Sequence, residues 1–307
     1  MALINENEII YKTNVTEVEI EAPENESYLV KAIGVSGLSS ECWMEVVAER
    51  TSVGYFPLYF AGMEPLKFWG AESTKRNLLM ELAKLGFPIT YPIPARRKLT
   101  LKFSATVPKL LILYDRYEEG DVKREDINGD MSDTLRWINW LTNEDAISSS
   151  GDVQLDDMFN PPEHPNFPLE VCPAEAEIDL KAVMALALAT SKGDGSSSLG
   201  TSYTKFLKLV KERKVLFDVY RNGLPVLGKS DYEVTSTTQS YDYTQVFNVC
   251  PVELEYNAEM FFLKTPIGFK GGEELTVVMN NSVDSDAPIG ANKLLVGLLM
   301  EMRYGRG

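Results

Sequence analysis

Between Leu99 and Val107 the chain alternates without interruption. Leu99, Leu101, Phe103, Ala105 and Val107 fall on one parity; Thr100, Lys102, Ser104 and Thr106 fall on the other. Successive strand side chains point to opposite faces, so this pattern predicts a strand with one buried and one wet face. After a short loop, Lys109 to Tyr117 reads as its partner strand. The chain closes on a related pattern, Glu273 to Val283, a polar loop, then Lys293 to Tyr304. The shared frame is Leu99-Thr100…Lys109-Leu110-Leu111 against Leu275-Thr276…Lys293-Leu294-Leu295. An internal echo of this kind predicts two halves of similar architecture, each closed by a strand pair.

The last run differs in texture. Leu294, Val296, Leu298, Met300, Met302 and Tyr304 make one face. Leu295, Gly297, Leu299, Glu301 and Arg303 make the other, apolar early and charged late. That is a strand covered on both faces at its start and emerging at its end; a buried helix would carry the same composition.

With 307 residues the chain exceeds one typical core, which predicts two domains. The expected division is an N-terminal arm over 1–14, a first β-sandwich over 15–150, a linker over 151–168 and a second β-sandwich over 169–307. The arm is polar and reads as lying along a neighbour or fraying. The linker follows Ser148-Ser149-Ser150, begins at Gly151, and contains Asn160-Pro161-Pro162 and the one histidine of the chain, His164.

In the first half, Val15–Ile20, Tyr28–Val35 and Trp43–Glu49 read as strands, and Arg50–Leu58 as a turn. Glu72–Gly86 reads as a helix capped by Ser73 or Thr74, with Leu78, Leu82 and Leu85 inward and Gly86 as its stop. The prolines of Phe87–Pro94 make an extended connector that no central strand would accept. Ser132–Leu141 reads as a short helix, with Trp137 and Trp140 beside its apolar stripe: core residues, or one of them an anchor against another surface. In the second half, Glu177–Thr190 reads as a strand, Thr201–Lys214 as a helix capped by Ser202, and Val215–Tyr220 as a strand turning at Arg221-Asn222-Gly223. Pro266–Gly272 reads as a glycine-rich loop. Many short strands and few helices predict a mainly β protein: two tandem jelly-roll-like β-sandwiches with a few short inserted helices.

The net charge is −15, from 45 acidic and 30 basic residues. Such a surface repels phosphate, which predicts no direct nucleic-acid partner unless one face is locally basic. The dense basic candidates are Arg96-Arg97-Lys98 and the stretch from Lys205 to Lys214. No apolar run is long enough to span a membrane as a helix. The N-terminus, Met1-Ala2-Leu3-Ile4-Asn5-Glu6, lacks the pattern of a secretory signal, so the three glycosylation-like sequences at Asn14, Asn25 and Asn280 read as chance. Cys42, Cys172 and Cys250 have no metal-binding spacing and read as buried thiols.

Chemistry is sparse. A lone histidine gives Ser-His-Asp and Cys-His arrangements little footing, and no phosphate-cradling glycine motif is present. Asp126-Ile127-Asn128-Gly129-Asp130 resembles half a calcium loop, but Trp137 stands where the closing glutamate belongs, so a solvated turn is the better reading. Acidic residues are numerous enough to supply a glycosidase-type pair, but nothing in the sequence selects one. The expectation is therefore no enzyme, no catalytic, cofactor-binding or metal site, and no cofactor.

The echo at Leu99-Thr100…Lys109-Leu110-Leu111 and Leu275-Thr276…Lys293-Leu294-Leu295, with helices inserted between strands in both halves, resembles the double jelly-roll major capsid proteins of icosahedral viruses, many of which enclose a membrane. The resemblance covers about residues 15–307 and carries no functional residues across. It implies a shell-building subunit of a virion, assembled in the host cytoplasm, with two eight-stranded jelly rolls. It further implies a homotrimer of pseudo-sixfold outline that contacts other virion proteins and lies near a viral membrane. The loop before Lys293 is longer than the one before Lys109, which departs from strict duplication. Other readings are a vertex, spike or tail component, or a carbohydrate-binding or glycan-cleaving β-sandwich protein. For the last, Tyr232, Tyr241 and Tyr243 are the candidate sugar-stacking residues.

Overall fold

The computed structural model describes residues 3–38, 42–59, 77–118, 134–142, 151–159, 167–168, 170–187, 203–216, 224–225, 245–246, 261–282 and 294–304. The protein is mainly β, built from antiparallel sheets in two compact units. Unit 1 comprises residues 1–137 with 160–164, and unit 2 comprises 138–159 with 165–307.

In chain order, unit 1 contains β1 (Leu3–Glu21), β2 (Glu26–Ser36), β3 (Cys42–Ala48), β4 (Thr51–Tyr59), the helix α1 (Leu78–Lys84), β5 (Tyr91–Ile93) and β6 (Lys98–Glu118). The hairpin expected around Pro108 is instead this one 21-residue strand, β6, and it organises the sheet. On one edge it pairs with β1, from Leu3 opposite Tyr117 to Glu21 opposite Lys98. On the other edge β2 and β3 follow one another: β2 covers Lys109–Glu118 and β3 covers Leu99–Phe103. β4 and β5 close the two ends of the order β4-β3-β6-β2-β5. Alternation was read correctly within β6, but alternation does not reveal whether a strand continues past a proline. Pro108 is accommodated where the partner strand changes from β3 to β2, between the two pairing blocks.

Three further expectations change in this unit. The N-terminal segment is no arm: Leu3–Thr13 is paired strand, continuous with the expected strand over Val15–Ile20. Arg50–Leu58 is mostly the strand β4, tolerated with Gly54 and Pro57 because β4 lies at the end of the sheet path. Within the predicted helix, α1 is capped by Asn77, whose Oδ1 accepts the Met80 N–H at 3.3 Å while its Nδ2 donates to the Ile33 carbonyl at 2.7 Å. At its other end Gly86, at φ 85°, closes a Schellman motif: Phe87 N–H to Leu82 O at 2.8 Å and Gly86 N–H to Ala83 O at 3.1 Å. The helix buries Leu78, Leu79 and Leu82, while Leu85 is exposed instead of joining them. The proline connector holds up: among the described residues its strand β5 is an edge strand, paired through Tyr91–Ile93 with β2 alone.

The remaining strands are β7 (Thr134–Thr142), β8 (Gly151–Gln154), β9 (Asp156–Phe159), β10 (Ala176–Ala187), β11 (Tyr203–Lys211), β12 (Lys214–Val215), β13 (Leu224–Pro225), β14 (Gln245–Val246), β15 (Phe261–Lys270), β16 (Leu275–Ser282) and β17 (Leu294–Tyr304). They form two sheets. One runs β14-β10-β17-β7-β9, with β15 also on β10; the other runs β12-β11-β16-β8, with β13 also on β11. β10 and β17 match the strands expected there. β17 is central, and Val296, Leu298, Leu299, Met300 and Met302 are buried together.

The helix expected over Ser132–Leu141 is the strand β7. Trp137, Ile138, Asn139, Trp140 and Leu141 are buried in succession, which a strand covered on both faces allows and an amphipathic helix does not. The helix expected over Thr201–Lys214 is β11, a two-residue turn and β12; Lys211 opposes Lys214, and Glu212 and Arg213 have φ of 49° and 63°. The stretch read as a linker contains β8 and β9, and the glycine-rich loop is the end of β15, with Phe269 buried against Phe167 at 4.9 Å between ring centroids. The closing strands β16 and β17 do not pair with each other; they lie in different sheets. Residues 97–117 and 273–304 are therefore not equivalent strand pairs.

Candidate functional site

β1 leaves one long side uncovered: among the described residues it pairs with β6 alone. Its inner side is clamped from both faces of the sheet. On one face Arg116 of β6 reaches Glu26 of β2 with two nitrogens, Nε to Oε2 at 2.9 Å and Nη2 to Oε1 at 2.5 Å, and Glu8 of β1 with the third, Nη1 to Oε1 at 2.7 Å. The Tyr114 hydroxyl donates to the other Glu8 oxygen at 2.9 Å. Arg116, with Asn5 helping, holds the Glu8 carboxyl down to about 2, and it lowers Glu26 as well. Burial, then the Glu8 carboxylate, push the Tyr114 hydroxyl up to about 12. On the other face Lys31 of β2 contacts Asp115 at 2.6 Å and the Asn7 amide oxygen at 2.8 Å, while the Asn7 N–H donates to Asp115 at 2.8 Å.

Against this fixed inner edge, β1 exposes Leu3, Ile4, Ile9 and Tyr11, the last two at 60% and 51%. Ile9 opposes Leu113 and Tyr11 opposes Leu111, both half-buried, so the apolar character continues onto β6. The register with β6 shifts between Asn5 and Glu8 and not again until after Val15, and Asn7 and Asn14 have positive φ, so Glu8–Thr13 is the run of extended backbone between these two asparagines. The geometry is that of a strand held along its inner side, with exposed apolar side chains and, among the described residues, no strand paired on its outer side.

Unit 2 contains a half-open groove of about 390 Å³ lined by Gln154, Leu155, Pro168, Glu170, Val171 and Glu274–Val277. Its lining includes two acidic residues, Glu170 and Glu274, with Gln154 and Thr276. Elsewhere in the unit, Lys181 links the buried Glu301 at 3.1 Å to Asp179 at 3.2 Å, and Arg303 contacts Asp179. Lys211 pairs with Glu273 at 2.7 Å, holds its carboxyl below the usual range, and lies 5.0 Å from the Phe269 ring centroid.

The residues singled out from the sequence fall as follows. The basic cluster is matched by acids: Arg96 with Glu24, Arg97 with Glu49 at 3.8 Å and Lys98 with Glu19 at 2.7 Å, which raises the Lys98 ammonium. Trp137 and Trp140 are buried in the core. Cys42 and Cys172 are buried free thiols, the latter pushed up by burial. Cys250, His164, Asp126–Asp130, Tyr232, Tyr241 and Tyr243 lie outside the described residues. Among the described residues there is no group of three or more potential metal ligands, and no helix is long and apolar enough to cross a membrane. The β1 edge was missed because the segment reads as polar; Ile9-Ile10-Tyr11 was the available signal.

The chain is thus a two-unit antiparallel β protein. No family model and no curated protein matches it. Solved structures that it matches include one described as peptide-N(4)-(N-acetyl-beta-D-glucosaminyl) asparagine amidase, at 9% identity and TM-score 0.36, covering 98% of this chain and 97% of that one. Another, recombinant peptide:N-glycanase F, matches at 9% identity and TM-score 0.35, covering 99% and 97%. The expectation that the chain is no enzyme is corrected here: the matched structures are an amidase and a glycanase, and a non-catalytic assignment is not retained. A likeness at these TM-scores lends no residue, substrate or activity to this chain.

Proposed function

We propose that the protein is a structural subunit of a virion, a shell-building component that assembles with copies of itself, as trimers, and with other virion proteins. The observation that carries this reading is the β1 edge. A strand clamped by Arg116 and Lys31 but exposing Ile9 and Tyr11 is built to stay ordered while its outer side meets another surface. Light scattering across a concentration series of the purified chain tests it. Concentration-dependent growth through a trimer to larger assemblies is expected; a monomer at every concentration overturns the reading.

A second reading, glycan binding or cleavage, is favoured by the unit 2 groove, where Glu170 and Glu274 accompany Gln154 and Thr276. Glycan-array binding or glycan hydrolysis lost in Glu274→Gln would support it.

A further inference from the structure

We propose that the β1 edge pairs with the β1 edge of a second copy, antiparallel and about a two-fold axis at Ile10. This inference rests on the assembly reading and names the partner and register of its surface. Edge strands join when their unpaired backbone groups are free and their side chains agree. Here the positive φ of Asn7 and of Asn14 bounds the usable run of extended backbone at Glu8–Thr13. A two-fold axis perpendicular to the sheet keeps each face continuous, so paired residues share parity and the axis must pass through a residue.

Two such axes keep five residues of each strand inside the unbroken run: through Ile10 or through Tyr11. Through Tyr11, Lys12 would face Ile10 of the second copy. Through Ile10, Lys12 faces Glu8, Ile9 faces Tyr11, and Ile10 faces itself. The second arrangement places opposite charges together twice and joins the two exposed apolar patches into one. Lys12 is exposed, so its ammonium is available to a neighbour. A two-fold contact closes on itself, so it joins two subunits and, in a shell, links neighbouring oligomers.

Cysteine pairing in the full chain reads the register directly. Residues directly opposite bring their Cα atoms to roughly 4.5–5.5 Å, within disulfide reach, whereas diagonal neighbours stand at about 7–8 Å. Ile9→Cys and Tyr11→Cys subunits are mixed, exchanged and oxidised, with the unsubstituted chain as the control for its own cysteines. The mixture is expected to give a linked dimer and neither variant alone. A dimer from Ile9→Cys alone, a dimer from Tyr11→Cys alone, or none from the mixture overturns the proposal. As an independent check, Lys12→Glu sets Glu against Glu8 twice per contact and is expected to weaken self-association about fivefold or more with an unchanged melting temperature. Assembly at undiminished affinity in Lys12→Glu overturns the pairing and leaves the shell reading standing. A chain that is monomeric throughout overturns both.

Discussion

Arg116 and Glu8 meet across the boundary between β6 and β1, Nη1 to Oε1 at 2.7 Å, while the same guanidinium grips Glu26 of β2. One side chain therefore ties three strands. Its planar fork grips Glu26 with two parallel hydrogen bonds while a third nitrogen reaches Glu8, a geometry that an ammonium cannot reproduce. Arg116→Ala is expected to lower the melting temperature and speed amide exchange in Leu3–Thr13. Arg116→Lys should recover only part of the loss. Equal recovery by lysine in a thermal melt would show that charge alone matters there.

The same contact sets a pH dependence. The Glu8 carboxyl is lowered from 4.5 to about 2 by Arg116, so its contribution is fully present above 4.5 and is lost as pH falls towards 2; Glu26 shifts in the same direction. Unfolding measured from pH 5 to 2 should show falling stability in the unsubstituted chain and a flatter profile in Arg116→Ala. Parallel profiles would place the acid sensitivity elsewhere.

Much of unit 1 was legible because its signals are local. Leu99–Val107 alternates, Gly86 stops a helix, and three prolines mark an edge. What stayed hidden depends on partners. Ser132–Leu141 has a helical stripe at Leu135, Ile138 and Leu141, yet neighbours cover both of its faces as β7. The turn at Glu212-Arg213 takes left-handed φ without the Asn or Gly that announces such turns, so the run through it reads as a helix. The open edge of β1 is marked in the sequence by Ile9-Ile10-Tyr11 alone, and its otherwise polar composition says nothing of the clamps supplied by Arg116 and Lys31 from distant positions.

Adjacent glycines in one turn should respond differently to alanine. At Gly271 a Cβ would stand 2.6 Å from Ala174 Cα and 2.6 Å from its carbonyl oxygen, and backbone cannot step aside cheaply. At Gly272, φ is 87° and no atom lies within 4 Å of the added carbon, so left-handed strain is the whole cost. Gly271→Ala is expected to cost about 3 kcal/mol and Gly272→Ala about 1 kcal/mol. Denaturant melts check the order; the reverse order would contradict the packing at Ala174.

Glu301 is buried, with its side chain 4% exposed, and Lys181 lies 3.1 Å away. Removing Lys181 leaves the buried Glu301 carboxylate with weaker compensation, Arg303 standing farther off at 3.9 Å, whereas replacing both Lys181 and Glu301 by apolar groups removes the problem. Lys181→Ala should therefore cost about 3 kcal/mol, and Lys181→Met with Glu301→Met distinctly less than either single change. Additive losses in the double variant would show that the two groups are energetically independent.

Deletion of residues 1–14 separates a strand from a loose arm. Leu3–Thr13 lies opposite Lys109–Tyr117, so the deletion strips the partner from half of β6 and frees Arg116 from Glu8. Backbone groups along that edge lose their partners, and Leu111 and Leu113 lose Tyr11 and Ile9. A segment that only lay on a neighbour could be removed without consequence for the isolated subunit. The expected outcome is a lower melting temperature together with loss of exchange protection at those amides of Lys109–Tyr117 that face β1, while the amides of that stretch that face β2, and β3 held by Leu99–Phe103, stay protected. An unchanged melting temperature would mean that the pairing of β1 with this part of β6 contributes no stability, and that the edge proposed for assembly is not held in place by the fold.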